Sequence, residues 1–337
     1  MAALSAKRVV AAAAVGGGGL TVLTGASIGL VMAEAKLARR AIGHAMDIPP
    51  RADGLFGAHL AAHSTSVEPD PSILSPTITS ATPATDRDTN TTPTTSATSP
   101  SPFDSRPLRF AVLGDSTAAG YGVERADQTP GALLAAALAA HSGRPLLLAN
   151  VARVGACSDR LAEQVDALLE DGPEHAPQVA AIMIGANDVT HRMSPTDAAR
   201  CLGDAVLRLR AAGCQVVVGT CPDLGTIRPI QVPLRWLARR WSRRLAAMQA
   251  RAVYEAGGRS VPIGALLGPE FAARAELFGP DRFHPSAEGY ATAAAAVLPA
   301  LAAAVWQITR SASADQSSAA APCPAKATTP PTTLTRQ

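Results

Sequence analysis

Between residues 107 and 306, short apolar runs alternate with longer stretches of helical periodicity. The runs cover 110–113, 146–151, 179–184 and 216–218, with a weaker fifth at 260–263. They are built from Val, Leu, Ile and Ala without a polar alternation, which is how strands buried on both faces read. The stretches between them, 130–141, 158–169, 195–212, 229–256 and 286–306, carry Ala and Leu at helical spacing. Strands alternating with helices predict an α/β fold with a parallel sheet covered on both sides. Some 200 residues are enough for one well-buried domain. In such folds ligands bind at the carboxyl ends of the strands, so those ends are where chemistry is sought.

Four short blocks fall there. Gly114-Asp115-Ser116 follows the first strand and offers a Ser on a tight turn as a candidate nucleophile. Asn150 to Ser158, NVARVGACS, follows the second; Gly155 in it can bring a bare backbone N–H close to a ligand. Gly185-Ala186-Asn187-Asp188 follows the third, and an Asn side-chain amide can donate to a developing oxyanion. Asp281-Arg282-Phe283-His284-Pro285 precedes the last helix. There the Asp carboxylate can accept from one ring nitrogen of His284 and leave the other as a general base. Each block alone has a commoner structural reading: a helix cap, a loop glycine, an Asn-stabilised turn, an Asp cap beside a surface His.

Taken together, in this order and spacing, the blocks resemble those of the SGNH hydrolase superfamily, the GDSL esterases and lipases. The resemblance covers essentially all of 107–306. In its finer texture, MIGANDVTHR, VVVGTCPDLGTIRP and FGPDRFHPSAEGY together with the apolar amino-terminal segment resemble a membrane-anchored actinobacterial branch. The resemblance implies a flavodoxin-like three-layer α/β/α sandwich with a parallel sheet, and metal-free ester hydrolysis without a cofactor. It implies Ser116 as nucleophile, His284 as base and Asp281 as the residue that orients it. It implies an oxyanion hole from the Ser116 and Gly155 backbone N–H groups and the Asn187 side chain. Thr117 stands where the name-giving motif has Leu, at a position outside the mechanism. Asp115 reads as structural, holding the turn.

The rest of the chain changes the picture in other ways. Residues 9–33 run 25 residues without a charge, long enough as a helix for the roughly 30 Å hydrocarbon layer. Val31-Met32-Ala33 loosely fits a signal-peptide cleavage site, but such peptides have apolar cores of about 7–15 residues, so an uncleaved anchor is favoured. Positive charges flank both sides and leave the orientation open. A short segment, 1–8, precedes this one, and a juxtamembrane segment, 34–63, follows it. Residues 64–106 are low in complexity: between 64 and 102, 19 of 39 residues are Ser or Thr and seven are Pro. Such a tract cannot bury enough apolar surface to order itself and reads as a spacer. A tail, 307–337, is of the same kind. The expectation is a catalytic domain outside the cell membrane on a single-pass anchor, or a secreted one if the segment is cleaved. Its partners are then a small-molecule or cell-envelope ester and the membrane.

Composition is consistent with this division: 47% hydrophobic residues but only 4% aromatic. A net charge of +3 gives no reason to expect a nucleic-acid partner. The stretch 234–248 holds Arg235, Arg239, Arg240, Arg243 and Arg244, with Leu234, Leu237, Trp241, Leu245 and Met248 predicted as its buried stripe. A solvated basic face is the plainer reading, an anionic-lipid or cell-wall contact the sharper one. Cys201 and Cys214 bracket a predicted helix and are too far apart to bridge. Cys157 and Cys221 are left as a bridge or as two thiols. His175 and His191 read as surface loop residues. A non-catalytic binding module that kept the fold is the competing class, separable by fluorophosphonate labelling at Ser116.

Overall fold

The computed structural model describes residues 48–57 and 106–319. Five parallel strands form the sheet: β2 (Leu108–Gly114), β3 (Leu146–Asn150), β4 (Val179–Met183), β5 (Gln215–Gly219) and β6 (Arg259–Val261). A sixth, β1 (Gly54–Phe56), pairs antiparallel with β3, and the order is β1-β3-β2-β4-β5-β6. The helices are α1 (Ser116–Ala119), α2 (Pro130–Ser142), α3 (Leu161–Leu169), α4 (Ala186–Thr190), α5 (Pro195–Ala211), α6 (Leu234–Glu255), α7 (Ile263–Ala273) and α8 (Ala287–Ala319).

Period-two alternation along the buried strands divides the core into two layers. Phe110, Val112, Val179, Ala181, Met183 and Val217 face α2 and α8. Ala111, Leu113, Ala180, Ile182, Val216 and Val218 face α3, α5 and the end of α6. Burying each large side chain is worth roughly 1.5–3 kcal/mol, so both layers are needed to hold the sheet. This is the three-layer α/β/α sandwich expected. The strand order reverses between β2 and β4, which opens the crevice at their carboxyl ends where α/β folds bind ligands.

Several expectations need correction. The segment 34–63 is not separate from the domain, because β1 lies in it and covers the free edge of β3. The Ser/Thr/Pro-rich tract is therefore an excursion between two strands of one sheet rather than a spacer in front of the domain. Its flanking residues Phe56 and Leu108 both pair with Leu146, two strand spacings or about 10 Å apart. The tail boundary at 306 falls too early: α8 runs on to Ala319, and Ile308 still packs against the core. Helix α7 was not anticipated, because Pro269 and two glycines masked its pattern. The buried stripe of α6 is Ala238, Ser242, Leu245, Gln249 and Val253, so of the predicted row only Leu245 is fully buried. Trp241 lies outside that stripe, and the polar Ser242 and Gln249 turn inward because each satisfies a buried backbone group described below.

The part of α8 from 287 to 311 is long and apolar enough to cross a membrane. It also places Val297, Leu301, Ala304 and Val305 in the core against the sheet. The predicted anchor, most of the Ser/Thr/Pro-rich tract and residues 320–337 lie outside the described residues.

Candidate active site

Strand β2 ends in Gly114 at φ +137°, a conformation that favours glycine. A Cβ there would sit 1.9 Å from the Met183 carbonyl oxygen of β4. That close approach turns the chain sharply into α1. Asp115 caps α1, its Oδ1 accepting from the Thr117 N–H at 2.9 Å, and Ser116 is the first helical residue, 7% exposed. Burial pushes the Asp115 carboxyl up to about 6, against the pull of the Thr117 N–H and the nearby His284.

His284 reaches Ser116 from 168 residues further along the chain. Its Nε2 lies 2.8 Å from Ser116 Oγ and its Nδ1 2.6 Å from Asp281 Oδ2. The other Asp281 oxygen accepts from the Phe283 and His284 backbone N–H groups, both at 2.9 Å. Burial acts to raise the Asp281 carboxyl, but these hydrogen bonds outweigh it and hold it below its ordinary value. The turn between them places Arg282 at φ +56°, which brings the carboxylate under the ring. Tyr121 and Phe283 flank the imidazole at 4.5 and 5.0 Å between ring centroids. The buried Tyr290 hydroxyl donates to the Tyr121 carbonyl at 2.7 Å and ties that ring to α8.

The other two blocks converge on the same turn. The Arg153 N–H donates to the Gly114 carbonyl at 3.1 Å, and the Ala156 carbonyl accepts from Asn187 Nδ2 at 3.1 Å. The turn bearing Gly155, at φ +81°, is thus fastened to the Ser116 turn on one side and to Asn187 on the other. An amide nitrogen has two N–H groups, so Asn187 keeps a second donor. Asp188 faces the other way, fully buried, and accepts from the Ser158 N–H at 2.8 Å and hydroxyl at 2.6 Å. All five predicted site residues come together at the carboxyl ends of β2, β3 and β4.

Sequence reasoning missed three supports. Gln164 of α3 is fully buried, accepting from the Gly114 N–H at 2.8 Å and donating to its carbonyl at 2.9 Å. Gln249 of α6 accepts from the Cys221 N–H at 2.7 Å and donates to the Ile184 carbonyl at 3.1 Å. Ser242 similarly accepts from the Leu224 N–H at 3.3 Å. The only sequence signal was a glutamine or serine on the apolar face of a helix. Cys157, Cys201, Cys214 and Cys221 are free thiols. Burial raises Cys157 to about 11 and Cys214 to about 12, so neither is a thiolate near neutral pH. His175 and His191 are exposed, as expected.

Beside the turn, an apolar cavity of about 90 Å³ opens between the sheet, α7 and the His284 loop. Asp115 and Thr117, on either side of Ser116, line it with Met183, Leu267, Phe271 and Phe283. A Ser hydroxyl, an imidazole held by a carboxylate, and amide donors nearby can pass a proton and stabilise a negative oxygen.

The family described as GDSL-like lipase/acylhydrolase matches residues 112–292. A GDSL-like esterase of Mycobacterium tuberculosis is 50% identical over 194 residues, 57% of this chain and 60% of the relative. The chain thus spans about 60% of that relative's length. Among solved structures, an enzyme named LAE5 from the metagenome of Lake Arreo is 20% identical with a TM-score of 0.48, over 58% of this chain and 96% of its own. A lipase/acylhydrolase from Enterococcus faecalis is 19% identical with a TM-score of 0.46, over 58% and 96%.

Proposed function

Because the chain belongs to the GDSL-like lipase/acylhydrolase family, we propose that it is a serine esterase working through an acyl-enzyme on Ser116. The observation that carries the reading is the unbroken line from Ser116 Oγ through the His284 ring to Asp281, with contacts of 2.8 and 2.6 Å. Ser116 Oγ attacks the ester carbonyl while His284 Nε2 takes its proton. Asp281 fixes the ring and stabilises the imidazolium. The carbonyl oxygen, now negative, accepts from the Ser116 and Gly155 N–H groups and the free Asn187 N–H. His284 returns the proton to the departing alcohol. A water, deprotonated by the same nitrogen, then releases the acid and regenerates Ser116.

The cavity beside Ser116 supports a short acyl group. At about 90 Å³ it has room for a few carbon atoms. Its lining of Met183, Leu267, Phe271 and Phe283 suits an alkyl chain. The uncharged stretch 9–33 supports a membrane anchor, and the Ser/Thr/Pro-rich composition of 64–102 supports the extracytoplasmic side.

Fluorophosphonate labelling tests the nucleophile. Wild type is labelled and Ser116→Ala is not; a labelled Ser116→Ala would overturn the assignment. On p-nitrophenyl esters, kcat/KM peaks at two to four acyl carbons by this reading, and a rise towards dodecanoate would refute the short-acyl pocket. Protease protection of the domain on intact cells would refute the extracytoplasmic placement.

A further inference from the structure

Helix α6 has a face that neither the fold nor the esterase site uses. From Leu224 to Tyr254 the sequence contains seven arginines and no acidic residue. Two of them, Arg239 and Arg243, converge on the buried Asp223 carboxylate at 3.1 and 3.2 Å. Arg240 and Arg244 are exposed and have no carboxylate partner among the described residues. With Trp236 they form an i, i+4, i+8 row opposite the buried Ala238, Ser242 and Leu245 stripe. Trp236 is 67% exposed, Trp241 38% and Val232 40%, all in or just before the amino-terminal half of α6. Indole rings left in water beside unpaired guanidinium groups are the composition of a membrane-interface contact.

The chain topology brings this part of α6 to the same end of the domain as the chain that enters it. Strand β1 runs antiparallel to β3, with Gly54 opposite Leu148 and Phe56 opposite Leu146. Residues before it therefore leave the sheet at the carboxyl ends of the parallel strands, where Asp53 accepts from the Asn150 N–H. The active site opens at that end, and α6 begins there. Only 14 residues, 34–47, separate the uncharged stretch from the first described residue. Fully extended they reach at most about 50 Å.

We propose that the amino-terminal half of α6 docks on an anionic phospholipid surface, with Trp236 and Trp241 at the interface and Arg240 and Arg244 on the headgroups. The esterase mouth then faces the bilayer. Docking itself rests on α6 alone; only what the orientation serves rests on the esterase reading.

The three tryptophans make the test direct. Trp306 lies on α8, 19 residues or about 29 Å along the helix from its start, with Arg310 4.5 Å over its ring. It therefore reports the far end of the domain, and residues 9–33 contain no Trp. The full chain is reconstituted into vesicles containing acyl-brominated phosphatidylcholine, with or without 30% phosphatidylglycerol. We expect Trp quenching only with phosphatidylglycerol, and its loss at high salt. Trp306→Phe keeps the quenching; Trp236→Phe/Trp241→Phe abolishes it. An arginine near an anionic surface is worth about fivefold in affinity, so Arg240→Glu/Arg244→Glu should lower the docked-to-free ratio at least about 25-fold. Arg240→Lys/Arg244→Lys restores it and shows that the fold survived. Hydrolysis of soluble p-nitrophenyl acetate stays within about twofold in these variants. A wild type that docks without hydrolysing would sink the esterase reading and leave this one standing. Equal quenching in zwitterionic vesicles, quenching that survives the double Glu variant, or quenching of Trp306 alone overturns the proposal. So does a Trp emission shift with soluble DNA or acidic polysaccharide where phosphatidylglycerol vesicles give no quenching.

Discussion

Asp115→Asn separates two jobs of one side chain. The carboxylate caps α1 through the Thr117 N–H, and an Asn oxygen can do the same. What Asn removes is the cost of holding a charge where burial opposes it. Burial raises the carboxyl from 3.8 to about 6, and two units correspond to about 3 kcal/mol. The sign follows from proton binding. The folded state holds this proton more tightly than the unfolded chain, so the contribution is fully present below about pH 3.8 and lost as pH rises through about 6.

Asn at 115 does not titrate and escapes that loss. The variant should match wild type near pH 4 and exceed it by up to about 3 kcal/mol at pH 8. For a domain of this size that is a Tm gain of about 6–12 °C. Urea unfolding of both proteins between pH 4 and 8, followed by Trp fluorescence, gives the difference directly. Activity should fall at the same time, since Asp115 caps the turn that carries Ser116 and its charge is felt beside the catalytic site. If the difference between the two proteins is the same at pH 4 and pH 8, Asp115 does not titrate in the raised range and the argument fails.

Two further outcomes follow from the same geometry. Asn187→Ala removes one oxyanion donor and should lower kcat about 100–1,000-fold with KM nearly unchanged, read by steady-state ester hydrolysis; a loss below tenfold would remove Asn187 from the mechanism. Gln249→Leu strands a buried N–H on Cys221 and a buried carbonyl on Ile184, at about 1–3 kcal/mol each. Chemical denaturation should show a loss of about 2–6 kcal/mol, and a loss below 1 would mean that water or a shifted backbone replaces the amide.

The parallel sheet was legible because every central strand is buried on both faces, leaving unbroken apolar runs between Ala- and Leu-rich helices. The site was legible for a related reason. A residue that must sit on a tight strand-end turn needs glycine beside it, and Gly114, Gly155 and Gly185 marked three of the four blocks. What the sequence hid was polar residues in apolar settings. Gln164 and Gln249 break a hydrophobic stripe and weaken its signal, yet they are buried because strand-end backbone groups have no ladder partner left. Strand β1 was invisible at three residues, with 51 residues between it and β2. Its pairing, not its composition, makes it part of the sheet. The exposed Trp241 was assigned inward for the opposite reason: periodicity counts an indole as core, and burial decides by shape and by which neighbour needs a hydrogen bond.

The two glutamines also explain how residues 168 positions apart meet within 2.8 Å. Ser116 is fixed by the Gly114 turn, and that turn cannot shift without breaking both of its bonds to Gln164. Asn187 is fixed by the chain leaving β4, which Gln249 joins to the chain leaving β5. Both glutamines stand on helices of one layer, α3 and α6. His284 comes from the loop before α8, which packs on the opposite face. The nucleophile turn and the amide donor are thus held from one side of the sheet and the base from the other. The sheet between them sets the spacing. A substitution that loosens either layer should therefore lower turnover before it unfolds the domain, because a 1 Å misplacement can cost about 100-fold in rate.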